Sequence, residues 1–283
     1  MAWRYLVRFK CREEGAVVFG NLEALPSKPV YEGLKAHVVK GDPLGQYEIT
    51  SEQRTIGKLL SPLGLEHVPM IRCVGLNYGK HVAEGTVPPK WPTLFVKGKH
   101  ALADPEEAVP IPKMCQDETL DWEGELAFVI SKDCKNVPET GDDWKSYVAG
   151  YTCADDVTWR FGQKDPDWSG TQWNSGKGID KFAPLGPVLV SSAVLDPSDL
   201  SLELRVNGTV RQTTRTNDML SDVRKIVSHF SKGITLEKGT VILSGTPAGV
   251  GYAMKPRVYL HDGDQVEVEI EGIGTLRHGI HYE

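Results

Sequence analysis

The sequence contains no uninterrupted apolar run near the roughly 18 residues that a membrane-spanning helix needs, so no span is expected. It also lacks a surplus of positive charge: 32 Lys and Arg stand against 38 Asp and Glu, a net charge of -6. That balance provides no basic field for phosphate backbones and excludes nucleic acid as an expected partner. Cysteine is scarce, odd in number and scattered (Cys11, Cys73, Cys115, Cys134, Cys153), with no CxxC pair. Free thiols in a reducing compartment are therefore expected, not a disulfide framework. The start, MAWRYLVRFKCREEG, alternates like a strand and has neither the apolar core of a secretory signal nor an Arg/Ser-rich, acid-poor leader. A soluble cytoplasmic protein is the expectation, with a mitochondrial address left open.

Several catalytic signatures are missing as well. There is no HExxH, paired CxxC or EF-hand loop to indicate zinc or a dedicated calcium site. No GxSxG marks a nucleophile elbow, and neither a P-loop nor GxGxxG marks a nucleotide site. No internal repeat or low-complexity tract interrupts a composition that is 40% hydrophobic and 25% charged, ordinary for a globular chain.

What is present is strand-like. WRYLVRF, AVVFGNL and KAHVVKG are short alternating or β-branched runs punctuated by Gly and Pro. They suggest a small strand-rich N-terminal domain over residues 1–65, followed by a larger domain over 66–283. In the larger part MIRCVG, PTLFVKG, ELAFVI, VAGYTCA, LGPVLV, LELRVNG, TVRQTT, TVILSG and QVEVEIEG read as strands. Asn207-Gly208 between two of them is a two-residue hairpin signal. Helices are few: the spacing of Met219, Val223, Ile226, Val227 and Phe230 predicts one over 218–233, and DDWKSYVAG a weaker, shorter one. The fold class expected is mixed α+β and β-rich.

Four clusters carry possible chemistry. In DWEGELAFVI, Glu123 and Glu125 share one strand face if the extended backbone begins by Trp122, and their repulsion calls for a cation or a shared proton. With Asp155 or Asp156 after VAGYTCA, they would form an all-oxygen set suited to Mg2+; the alternative is a solvated strand end. In NYGKHVAEG, His81 and Glu84 are spaced to meet on one helical turn, where the carboxylate would raise the basicity of the imidazole; otherwise His81 is a surface residue on a Gly-bounded loop. In GKGIDKFAPLGP, Lys177 could stabilise developing negative charge, with Asp180 at i+3, or simply mark a loop. In SGTPAGVG, Gly245 allows close backbone approach and Thr246 offers a hydroxyl and an N–H to a carboxylate, where the plain alternative is a tight turn.

Taken in order, CVGLNYGKHVAEG, PTLFVKG, DWEGELAFVI, VAGYTCADDVTWR, GKGIDKFAPLGP, RVNGTVRQ, TNDML and VILSGTPAGVG resemble the fumarylacetoacetate hydrolase family, in particular its domain-containing-protein-2 branch. The resemblance implies that family's fold, a β-sandwich roll of mixed sheets with few helices, preceded by the small N-terminal domain. It implies Mg2+ (Mn2+ as the other candidate) held by Glu123, Glu125 and Asp156, the second Asp of the pair because DVTWR matches the family pattern. It further implies a catalytic His81–Glu84 dyad, Lys177 beside the substrate oxyanion with Asp180 supporting it, and a substrate site formed by Thr246, Gly245, Arg160 and Gln163. The expected substrate is a small 2-oxo acid, cleaved as a 2,4-dioxo acid or tautomerised or decarboxylated as an oxaloacetate-like one. A homologue that binds metabolites without turnover is the non-enzyme alternative, and a homodimer is expected. The pattern departs from relatives at Phe161-Gly162 and at Gly98, where an acid with an aromatic and a proline are usual.

Overall fold

The computed structural model describes residues 2–84 and 87–283. The chain opens with β1 (Tyr5–Cys11), β2 (Val17–Leu22), β3 (Lys35–Gly41) and β4 (Tyr47–Leu60), then β5 (Ile71–Gly75), β6 (Thr93–Lys97) and β7 (Leu102–Ala103). The middle supplies β8 (Ala108–Ile111), β9 (Leu120–Asp121), β10 (Gly124–Ile130), β11 (Val148–Asp155), β12 (Thr158–Trp159) and β13 (Ala183–Ser191). The last part adds β14 (Ser201–Val206), β15 (Thr209–Arg215), β16 (Val241–Leu243), β17 (Gln265–Ile270) and β18 (Gly274–Tyr282). The helices are short: α1 (Gly79–Val82), α2 (Arg160–Lys164), α3 (Pro166–Ser169), α4 (Asn174–Lys177) and α5 (Val223–Ser231). This is the expected mixed, strand-rich architecture.

An eleven-stranded sheet follows the path β2-β3-β4-β1-β13-β11-β10-β16-β5-β6, with β7 joined to β13. A second sheet, β15-β14-β17-β18-β8, packs on its centre. Alternation along β10 explains how the layers form. Leu126, Phe128 and Ile130 share one core with Leu204, Val268 and Leu276 of the second sheet. Ala127 and Val129 belong to the other core, with Cys73, Ala154 and Leu243. Because both faces are covered, every residue of β10 is buried. Glu125 has the parity of Ala127 and Val129, so it ends an apolar row inside the protein.

The expected boundary between residues 65 and 66 falls in the connection from β4 to β5, yet the N-terminal strands continue into the main sheet. Pairing of β1 with β13 is antiparallel, Tyr5 opposite Val190 and Leu6 opposite Leu189. The Asn207-Gly208 turn joins β14 to β15, with both residues at positive φ (51° and 74°) as a primed two-residue turn requires. The expected helix over 218–233 is shorter. Asp222 accepts a hydrogen bond from Lys225 N (2.8 Å) as its N-cap, so Met219 lies before the helix in a bridge to Tyr78. DDWKSYVAG gives only a 3-10 turn over Asp143–Tyr147 before β11 begins. Strands β4, β8 and β18, and the two-residue β7, β9 and β12, were not among the expected ones. All five cysteines are free and buried. Among the described residues, no helix is long and apolar enough to cross a membrane.

Candidate metal centre and active site

Three carboxylates converge where β10 begins and β11 ends. Glu123, Glu125 and Asp156 each offer an oxygen, all within 4.8 Å of one another, and all three residues are buried. Strand pairing brings them there: Gly124 lies opposite Asp155 and Glu125 opposite Ala154, and Asp156 N donates to Glu123 O (2.9 Å). Asp155 points elsewhere. It accepts from Glu123 N (2.8 Å) and pairs with the buried His278 Nε2 (2.8 Å), so it fixes the backbone of Glu123 from behind.

Cations surround the acids. Lys177 Nζ donates to Glu123 Oε2 (2.9 Å), Asp156 Oδ2 (2.5 Å) and Thr158 Oγ1 (2.8 Å), which uses all three of its protons. Lys97, fully buried at the end of β6, pairs with Asp156 Oδ1 (2.6 Å) and donates to the carbonyls of Val157 and Phe182. Arg160 joins Glu123 Oε1 (2.7 Å) to Asp121 Oδ2 (2.7 Å) and donates to Gln163 Oε1 (3.0 Å). Asp121 also accepts from the N–H groups of Gly251 and Tyr252, tying this corner to the loop after β16.

Glu125 is the exception. Among the described residues it has no ion pair, and its hydrogen bond comes from Gly245 N (2.6 Å). Burial, then the charges of Asp156 and Glu123, push its carboxyl well above the usual range. Burial opposes ionisation of Glu123 too, but Lys177 and Arg160 outweigh it and hold the group near 2. For Lys177 burial lowers the ammonium pKa, and Asp156 with Glu123 more than reverse this, to about 12. The cluster thus has one carboxyl too many for its neighbours. An all-oxygen set with uncompensated negative character fits a hard divalent cation such as Mg2+ or Mn2+.

Local structure accounts for each position. Lys177 is the last residue of α4, and Gly176 before it lies tight against α2: a Cβ there would approach Gln163 Cα to 2.9 Å and the Trp159 carbonyl more closely still. Gly245 sits at φ +100°, where a Cβ would meet Asn77 Cβ at 2.7 Å, so only glycine presents that N–H to Glu125 without strain. His81 and Glu84 meet at the one-turn helix α1, Nδ1 to Oε2 at 2.7 Å, while Gly249 N donates to Glu84 Oε1 (3.0 Å). Gly85 of the same NYGKHVAEG segment lies outside the described residues.

A cavity of about 440 Å³ joins these parts, lined by His81, Glu84, Glu123, Arg160, Lys177 and Thr246 among others, and continuing along Tyr252–Arg257. Gln163 lines it as well. Two expected placements differ. Gly245 does not line the cavity, because its N–H faces Glu125. Asp180 is exposed and makes no bond to Lys177: α4 stops at Lys177, so the i+3 spacing loses its helical meaning there. The Thr246 hydroxyl is also engaged, donating to Gly124 O (3.1 Å) and accepting from Gln212 Nε2 (2.7 Å). Phe161, at one departure from the family pattern, faces away and packs with Trp159 and Trp168.

Lys97, Asp121 and His278 were missed in the sequence. Lys97 did leave a trace, since in TLFVK it has the inward parity of Phe95, and Asp121 likewise has the parity of Glu123. His278 has the parity of Leu276 and Ile280, which are buried with it along β18.

A buried oxygen cluster that reaches a concave, mixed-polarity cavity through Glu123, with a His–Glu pair lining the same cavity, has the make-up of a small-molecule enzyme site. The chain belongs to the fumarylacetoacetate hydrolase family, since residues 70–281 match that family's profile, Fumarylacetoacetate (FAA) hydrolase C-terminal. It resembles the domain-containing-protein-2 branch, and its characterised relatives are enzymes, among them hydrolases, isomerases and tautomerases. It is 42% identical over 224 residues to the mitochondrial oxaloacetate tautomerase of Xenopus laevis, covering 77% of this chain but 66% of that protein. It is 39% identical over 266 residues to the 2,4-didehydro-3-deoxy-L-rhamnonate hydrolase of Sphingomonas sp. strain SKA58, covering 93% of this chain and 85% of that one. The crystal structure of a 2-hydroxyhepta-2,4-diene-1,7-dioate isomerase from Mycobacterium marinum superposes with a TM-score of 0.83 at 33% identity, over 99% of both chains.

Proposed function

We propose that this protein hydrolyses a carbon–carbon bond in 2,4-dioxo acids of the acylpyruvate type, with Mg2+ or Mn2+ held by Glu123, Glu125 and Asp156. The observation that carries this reading is the His81–Glu84 pair opening onto a cavity of about 440 Å³. Such a space exceeds the needs of a four-carbon acid and leaves room for an acyl group. The Sphingomonas hydrolase, which aligns over nearly the whole chain, supports the same reaction class.

When bound, the cation would polarise the oxygens of a chelating 2-oxo acid. The chain's own residues do the rest. Glu84, fixed by Gly249 N–H, holds His81 through Nδ1 and leaves Nε2 to take a proton from water. The hydroxide so formed adds to the C4 carbonyl, the C3–C4 bond breaks, and the electron pair passes into the enolate of pyruvate. His81 returns its proton to C3, giving pyruvate and the carboxylic acid of the acyl group. Lys177, which lines the cavity and donates to Glu123, Asp156 and Thr158, is the ammonium that would turn to the negative enolate oxygen and stabilise it. Arg160 and Gln163 set the side wall along which the substrate lies.

A second reading is tautomerisation of oxaloacetate, favoured by the 42% identity to the Xenopus enzyme; His81 would then move a proton between carbon and oxygen without water. Purified protein with Mg2+ should release pyruvate from acetylpyruvate. His81→Asn and Glu84→Gln should each lower kcat by about 100-fold or more with little change in KM. Interconversion of enol-oxaloacetate with no cleavage of any acylpyruvate would replace the first reading by the second. The working unit is a homodimer in this proposal, and a monomeric mass by light scattering would overturn that part.

A further inference from the structure

The cavity wall contains one apolar side chain that the packing of the protein does not require. Seven non-glycine residues have a positive φ among the described residues, and six of them (Glu106, Glu118, Asn136, Thr171, Lys181, Asn207) are polar. The seventh is Leu76, at φ 57° directly after β5. A positive φ crowds the Cβ of any L-residue, so a bulky apolar residue stays there only where its surroundings impose it. Both neighbours do so. Gly75 is pressed on Trp173, whose ring a Cβ would approach to 2.2 Å. Asn77 is buried, its amide nitrogen donating to Ser244 O (2.7 Å) and Ser221 O (2.9 Å) and its side-chain oxygen accepting from Ser221 N (2.9 Å).

Burial in a core does not offset this strain. Of the other apolar residues lining the cavity, Val74 belongs to one apolar core and Met254 packs on it, while Phe95 belongs to the other core and Trp173 packs on that one. Leu76 lines the same cavity and is half-buried, yet among the described residues it packs with neither core. Glycine would remove the strain, and the chain places glycine at 14 other positions of positive φ. A side chain held in a strained conformation and used by no core serves what enters the cavity. The carboxylate and keto oxygens of a 2-oxo acid need a cation and hydrogen-bond donors. The aliphatic carbons of an acyl arm are the part that an isobutyl group recognises.

We infer that Leu76 is a specificity-determining residue: it touches the aliphatic carbons of the acyl arm and selects acylpyruvates whose acyl chain is longer than acetyl. This rests on the proposed function for the class of ligand. Unreactive 2-oxo acids test it by binding alone, in calorimetry on the Mg2+-loaded full chain. Each methylene buried against an apolar side chain raises affinity about four-fold, so 2-oxohexanoate, three methylenes longer than pyruvate, should bind roughly thirty-fold more tightly. Leu76→Asn keeps the size and adopts positive φ readily; it should cut that advantage to about three-fold and leave pyruvate binding within about two-fold, while Leu76→Met retains the preference. The melting temperature of Leu76→Asn should be no lower than that of the wild type, because strain is relieved and no core contact is lost. Equal affinities of the two acids in the wild type would overturn the inference, as would a lower melting temperature with both ligands weakened alike, the mark of a packing residue. Cleavage is read separately. If no acylpyruvate is hydrolysed while Leu76→Asn still abolishes the alkyl preference, the hydrolase reading fails and the role of Leu76 stands; if acetylpyruvate is cleaved and the preference survives Leu76→Asn, only the role of Leu76 fails.

Discussion

Glu125→Gln gives the most direct test of the metal centre, because the structure predicts opposite effects on stability and on metal binding. Two carboxylate oxygens lie within 4.8 Å of Glu125. At an effective dielectric of about 20, each such pair of charges repels by ~3.5 kcal/mol, only partly offset by Lys177. Without metal the protein therefore keeps Glu125 protonated to higher pH than the 4.5 of a free carboxyl. The sign follows from linkage. The folded state binds one more proton than the unfolded state above pH 4.5, so stability falls as pH rises from there to the folded pKa, by at most ~1.4 kcal/mol per pH unit. Gln has no proton to lose, keeps an oxygen for Gly245 N–H and has the same shape. Metal-free Glu125→Gln should match the wild type in melting temperature at pH 4.5 and exceed it increasingly toward neutral pH, each 1 kcal/mol giving about 2–4 °C. Mg2+ should raise the melting temperature of the wild type and leave the variant unmoved. Calorimetry in two buffers of different ionisation enthalpy should show proton release on Mg2+ binding to the wild type. Parallel pH profiles for the two proteins, or unchanged Mg2+ binding by the variant, would refute the reasoning.

Two further substitutions separate roles within the cluster. Asp155→Asn weakens the buried link to His278 and should cost about 2–3 kcal/mol of stability in denaturant unfolding, while Mg2+ affinity changes far less than in Glu125→Gln; equal losses of affinity in calorimetry would make Asp155 a ligand. Lys177→Met should reduce kcat by about 100-fold or more and alter Mg2+ affinity by only a few-fold, because the ion replaces the lysine's charge beside Glu123 and Asp156. A proportional loss of both would mean that the lysine serves the metal and not the reaction.

The parts of this site that were legible in the sequence are those set by short-range geometry. The parity of Glu123 and Glu125, the turn at Asn207-Gly208 and the pairing of His81 with Glu84 each depend on neighbours a few residues apart. Lys97, Asp121 and His278 depend on partners 30 or more residues away: Asp156, Arg160 and Asp155. No local pattern shows that a lysine ending PTLFVK meets an aspartate just past the end of β11. β4 escaped notice for a different reason. Most of its residues are partly or fully exposed, and the row opposite its charged residues carries Ser51, Gln53, Thr55 and Gly57, so YEITSEQRTIGKLL lacks the apolar alternation of a half-buried strand. Asp180 shows how spacing misleads when a helix ends, since i+3 brings side chains together only while the turn continues.

The hydrogen-bonding edge of β13 is covered in two instalments. β7 pairs with Ala183 and Pro184, and β1 with Leu189 and Val190, with Ser191 N reaching Arg4 O at 2.9 Å. The N-terminal unit therefore acts as a plug on an otherwise open strand next to β11, the strand that leads to Asp156. A chain cut at the β4–β5 connection would keep every residue proposed for chemistry and still bare the backbone of an apolar strand, Val188 to Val190, to any passing edge. For this chain the connection from β4 to β5 is a break in the sequence pattern but not in the sheet, which runs on through β1 and β13.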